Sequence, residues 1–168
     1  MSAPTFSAGS LQRLGEYSVS PFSVATRGDI LRLEEWIKSK LPDPERDYGD
    51  VFPVEHFFAP HLYARQMTIP AGSLIIGKIH KHAHINTVSK GKIKVFSEFG
   101  TSIVEAPFTF VSEPGTKRVG IALEDTIWTT YHPTEETDPV KAEEEIICKT
   151  FEEFDAFVAG QKLLEAAP

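Results

Sequence analysis

Histidines stand at every second position in the run Gly77-Lys-Ile-His80-Lys-His82-Ala-His84-Ile-Asn-Thr-Val-Ser-Lys-Gly91. Successive side chains of a β-strand point to opposite faces, so residues i, i+2 and i+4 share a face. On such a strand, His80, His82 and His84 could converge on one ion. Neutral imidazole suits Fe, Mn, Ni or Zn. A mononuclear site needs at least three protein ligands. His132, at the end of the last predicted barrel strand, is a further candidate ligand, and Trp128 shares its parity. The alternative is that these imidazoles hydrogen-bond to polar neighbours and bind nothing.

The elements that would carry them fall into three parts, with no internal repeat. Residues 1–50 form an N-terminal arm and helix. Residues 1–25 are rich in Ser, Ala and Gly, with scattered Leu11, Leu14, Tyr17 and Phe22, a composition suited to an arm that orders against a neighbour. From Asp29 to Leu41 the residues Ile30, Leu33, Trp36, Ile37 and Leu41 mark one helical stripe. Thr26 or Asp29 can cap its start and Pro42 stops it. Pro42 to Asp50 reads as a polar connection.

Residues 51–133 carry strand signals almost throughout. Strands are predicted near 61–69, 73–80, 84–89, 92–97, 101–105, 108–111, 117–123 and 126–132. They are divided by the turns Pro70-Ala-Gly72, Ser89-Lys-Gly91, Glu98-Phe-Gly100, Glu113-Pro-Gly115 and Glu124-Asp125. Short antiparallel strands at this spacing favour a mainly β fold, a small barrel or jelly roll. Residues 134–168 return to helical composition and predict a C-terminal helical segment packed on the barrel. Glu143, Glu144 and Glu145 within it read as a solvated helix face.

Composition narrows the function classes. The chain has 168 residues, enough for one ordinary domain, with 41% hydrophobic and 24% charged residues, which are globular values. A formal charge of −7 opposes a nucleic-acid binder, which needs a basic stripe. Cys148 is the only cysteine, so internal disulfides and thiolate clusters are excluded and a reducing cytoplasm fits. No apolar run has the length of a membrane span, and the N-terminus lacks a secretory pattern. Phosphate loops, Cys-x-x-Cys pairs and Gly-x-Ser-x-Gly elbows are absent from the sequence.

The order of strand, Pro70-Ala-Gly72 turn, Gly77, clustered histidines, Gly91, Pro107 and Pro114-Gly115 resembles the two sequence motifs of the cupin superfamily. Those proteins are small β-barrels of the jelly-roll type. More closely, Glu55-His56, Tyr63-Ala-Arg65, Gly77-Lys-Ile-His80, Pro114-Gly-Thr-Lys-Arg118 and Glu124-Asp-Thr-Ile-Trp-Thr-Thr129 onward to His132 look like small cupin-like proteins of tailed bacteriophages and prophages. The resemblance implies an antiparallel cupin-like barrel over residues 51–133. Counted back from Gly91, the family's four ligand positions fall on Lys78, His80, His84 and Arg118. Two of these are cations, which do not ligate a metal.

Two function classes follow. In the first, His80 and His84, with His82 and His132, hold a divalent transition metal, or a small anionic ligand is held by Arg118 and Lys78, with Glu55, His56 and Arg65 on the early strands as further candidates. Two fixed positive charges would repel a dication unless an anionic ligand or a nearby carboxylate compensates. In the second class the barrel is only a scaffold for a structural or interaction protein, for example part of a phage particle, and the arms make the contacts; in either class residues 1–25 suit pairing into a homodimer. His56 and His61 lack a partner at any diagnostic spacing and read as rim residues.

Overall fold

The computed structural model describes residues 26–43 and 51–165. The predicted arm of residues 1–25 and most of the connection from Pro42 to Asp50 lie outside them. The chain builds α1 (Arg27–Lys38), β1 (Val54–Ala59), β2 (Leu62–Ile69), β3 (Leu74–Ile76), β4 (Ile79–His80), β5 (His84–Lys90) and β6 (Lys92–Ser97). It continues through β7 (Gly100–Glu105), β8 (Phe108–Ser112), β9 (Val119–Ala122), β10 (Thr126–His132), α2 (Pro139–Ile146), β11 (Ile147–Cys148) and α3 (Phe151–Glu165).

Among the described residues, strands β1 to β10 and the short β11 pair antiparallel, in a five-stranded sheet β1-β2-β10-β5-β8, a four-stranded sheet β3-β9-β6-β7 and the small pair β11-β4. This is the mainly β architecture with a C-terminal helix that the strand spacing predicts. Alternation places Ile69 and Val88 of the larger sheet against Ile93, Val95, Val104 and Ala122 of the smaller one, and these buried residues fill one end of the space between the sheets. Burial of such side chains is the main stabilising term, about 1.5–3 kcal/mol for each large aliphatic.

The predicted strand over 73–80 is divided. β3 pairs with β9 and β4 pairs with β11, so the chain changes sheets around Gly77, whose N–H donates to the Arg118 carbonyl at 2.8 Å. β1 and β11 are additional strands. β11 lies in the C-terminal part expected to be helical, because Ile147 and Cys148 continue from α2 directly onto β4. Gly91 turns β5 into β6 at φ +82°, and a Cβ there would meet the Asp125 carbonyl oxygen at 2.2 Å, so only glycine fits.

Among the described residues, three helices pack on the sheets. α1 begins at a capping box in which the Asp29 N–H donates to Thr26 Oγ1 and the Thr26 N–H donates to Asp29 Oδ2. Its Ile30 and Leu33 cover the outer face of the smaller sheet at Leu74, Ile76, Phe96 and Val119. Phe151 and Phe154 of α3 pack on Ile79 and Cys148. α2 is capped by Asp138 and lays Ala142 and Ile146 against Tyr63, which has 0% exposure. That contact brings α2 over the end of the barrel where the histidines lie.

Candidate metal and ligand site

His80, His84 and His132 reach one point from three strands. His132 ends β10 one step beyond the Tyr131–Ile85 pair, which sets it beside His84 at the start of β5. His80, on β4, comes from the β4-β11 pair. Ring centroids are 4.0 Å apart for His80 and His84, 4.9 Å for His80 and His132, and 4.7 Å for His84 and His132. One ring nitrogen from each lies within 4.8 Å of the other two. Three imidazole nitrogens at this separation fit a single transition-metal ion by donor type and by spacing.

The protonation states suit that task. Burial, reinforced by the charges of its histidine neighbours and of Arg118 and Arg65, holds His80 well below the ordinary value. Burial lowers His84 to about 4, with Arg118 contributing and a hydrogen bond to the His82 backbone opposing. Burial, His84 and Arg65 lower His132 to about 3. All three rings are therefore neutral near pH 7, each with a lone pair free to ligate. In His84 the Nδ1–H donates to the His82 carbonyl at 3.3 Å, which leaves Nε2 as the ligating atom.

His82 does not join them. Residues 81–83 lie outside any strand, so the alternation expected across 80, 82 and 84 is interrupted, and His82 is exposed with its ring edge-on to Phe157 at 5.3 Å. Glu55 is also exposed, on the outer face, where it accepts from Gln66 Nε2 at 2.7 Å. His61 sits at the exposed rim and contacts Glu135.

The histidine trio opens on a cavity of about 150 Å³ between the sheets, whose lining also includes Arg65, Lys78, Arg118 and Glu143. Glu143 corrects the reading of residues 143–145 as a solvated face. Its carboxylate lies 2.6 Å from Lys78 Nζ and 3.3 Å from Arg65 Nε, and Glu145 accepts from Thr134 Oγ1 at 2.6 Å. Of this acidic run, Glu144 alone is exposed without a side-chain role in these contacts, although its carbonyl accepts from Lys81 Nζ. Two-residue spacing along α2 sets Glu143 and Glu145 about 200° apart, so they meet different partners, but it does not say which of them faces the barrel. The helix lies across the barrel mouth, and only its packing on Tyr63 reveals which carboxylate points inward.

Further polar support comes from buried residues that the sequence reading passed over. Asn86, 2% exposed, donates to Ser112 Oγ at 2.7 Å and accepts from Trp128 Nε1 at 2.9 Å. Tyr63 holds His56 Nδ1 at 2.7 Å, and burial pushes its phenol up to about 12, so it remains a neutral hydrogen-bonding group. The alternation of β2, β5 and β10 contained a signal for both, since Tyr63 and Asn86 share the inward parity of Arg65, His84 and His132.

No family model and no curated protein matches the chain. Solved structures are similar to parts of it. KdgF from Halomonas sp. is 19% identical, with 54% of this chain and 86% of that one covered and a TM-score of 0.44. An RmlC-like cupin from Shewanella frigidimarina is 16% identical, covering 55% of this chain and 93% of its own, at a TM-score of 0.41. An acetylacetone dioxygenase from Acinetobacter johnsonii is 17% identical, with coverages of 52% and 66% and a TM-score of 0.43.

Proposed function

We propose that the protein is a cupin-type metal-binding barrel in which His80, His84 and His132 hold one divalent transition ion facing a small-molecule cavity. The observation that carries this reading is the convergence of three neutral imidazoles within 4.8 Å at the end of a cavity. Glu143 answers the electrostatic objection raised by Lys78, because its carboxylate neutralises that ammonium at 2.6 Å. A bound ion would supply Lewis acidity or oxygen activation to a ligand in the cavity. The chain's own residues would fix the imidazole tautomers, exclude bulk water through α2 and orient the ligand. Elemental analysis of protein purified without an affinity tag should find about one Fe, Mn, Ni or Zn per chain. Metal-free protein that also fails to take up any of these ions would end this reading.

One observation favours a second, structural reading, in which the barrel is a scaffold in a larger assembly such as a phage particle. Phe57, Ala64, Tyr131, Ile85 and Val111 form one line across all five strands of the larger sheet. Phe57, Ile85 and Val111 in that line are 51%, 48% and 60% exposed. An apolar line on an outer sheet face suits contact with another protein surface. Sedimentation of Ile85→Asp with Val111→Asp should then show smaller species than the parent chain, whereas an unchanged profile removes this support.

A further inference from the structure

The cations around the cavity are treated unequally. Lys78 and Arg65 share the Glu143 carboxylate, at 2.6 Å and 3.3 Å. Arg118, also in the cavity lining, has no carboxylate within ion-pair distance among the described residues, and its guanidinium carbon stands 5.7 Å from the centre of the Phe110 ring. A guanidinium drawn partly out of water without an anion is unfavourable, and its planar fork matches a carboxylate. Arg118 also lies near enough to His80 and His84 for its charge to act on both. An anion on Arg118 would thus sit beside the trio.

The rest of the lining sets the body of the ligand. Met67, Ile69, Ile75, Val95 and Trp128 give the deeper wall an apolar character. The neutral amide and hydroxyl groups of the lining are already bonded within the protein. Asn86 is shared between Ser112 and Trp128, Thr116 Oγ1 donates to the Glu113 carbonyl at 2.8 Å, and Thr130 Oγ1 donates to the Arg65 carbonyl at 3.5 Å. A polyhydroxylated ligand would lose hydration at most of its hydroxyls without finding partners.

We propose that the cavity takes a small carboxylic acid with an apolar body, its carboxylate gripped by Arg118 and its body laid against Met67, Ile75 and Trp128. This rests on the reading of the cavity as a ligand site and adds the chemical class of the ligand. The probes are isovalerate, its neutral isostere isovaleramide, and gluconate, titrated calorimetrically into the full-length chain as purified and again after treatment with EDTA. Isovalerate should bind about tenfold more tightly than the amide or gluconate, and Arg118→Gln should reduce it to the level of the amide. Arg118→Lys should keep part of the preference through its charge. Equal binding of acid and amide, tighter binding of gluconate, or an unchanged isovalerate affinity in folded Arg118→Gln would overturn the proposal. If Arg118→Gln does not fold, the acid-to-amide comparison on the parent chain decides alone. Arg118-dependent binding to a chain that takes up no metal would uphold this inference while ending the metal reading. Bound metal without an acid preference would do the reverse.

Discussion

The two ends of the space between the sheets are built on opposite terms. At one end Val88 and Ile93, each 0% exposed, meet across the sheets with no polar group to satisfy. At the other, three histidines, three cations and the Glu143 carboxylate surround a cavity. The first end is regular strand packing and gains stability from area removed from water. The second places polar groups where burial opposes their charge, and each group needs a partner from elsewhere in the chain. The first end maintains the barrel; at the second, burial keeps three imidazoles neutral, and Arg118 has no carboxylate within ion-pair distance among the described residues.

The difference can be broken from either side. Ile93→Ala removes a fully buried side chain from the apolar end and should destabilise the chain by about 2–5 kcal/mol in urea melts. Metal uptake by the remaining folded fraction should be unchanged. A parallel loss of uptake would show that the two ends are not separable.

Acid should act on the other end. His84 and His132 have folded-state values near 4 and 3 against an ordinary 6.5, so the unfolded chain binds the proton more readily between those limits. Stability is therefore fully present above about pH 6.5 and is lost as the pH falls toward 4 and then 3, by about 3 kcal/mol for His84 taken alone. Urea melts of the metal-free chain at pH 7, 6, 5 and 4 should show this decline, and His84→Asn should flatten part of it. A decline of equal slope in that variant would assign the acid sensitivity to other groups.

Smaller effects test the carboxylate that balances the cavity. Glu143→Gln leaves Lys78 and Arg65 facing an uncharged amide and should cost about 1–2 kcal/mol, since the pair is partly exposed. It should also weaken metal uptake by removing a carboxylate charge from the cavity lining, as read by competition with a coloured chelator. Unchanged uptake would mean that Lys78 is too well screened to matter. His82→Ala should be the least consequential change, within about 0.5 kcal/mol in stability and without effect on metal uptake. A lost site in that variant would bring His82 back as a ligand.

The same contrast explains what could be read from the sequence. Strand alternation and turn residues placed β2, β5 to β8 and β10 almost residue by residue, because each wall repeats every two positions and Gly91 or Gly115 marks a turn. The histidine pattern at 80, 82 and 84 pointed to the right stretch for a mistaken reason. The strand breaks at Gly77 and again after His80, so His80 and His84 meet from separate strand pairs while His82 turns outward. His132 was legible through its parity at the end of β10. Glu143 was not, because an acidic helix has the same local pattern whether it faces solvent or lies over a barrel mouth. Its role depends on the packing of Ala142 and Ile146 on Tyr63, a contact between residues about eighty positions apart in the chain.

The central claim is that imidazoles from β4, β5 and β10 form one coordination centre. A titration of the metal-free chain with Cu²⁺, followed by electron paramagnetic resonance, tests it most directly. The account predicts saturation at about one equivalent, with coupling to imidazole nitrogens that is lost in His84→Ala and in His132→Ala and kept in His82→Ala. A spectrum indifferent to His84 and His132, or one that vanishes with His82, would contradict it.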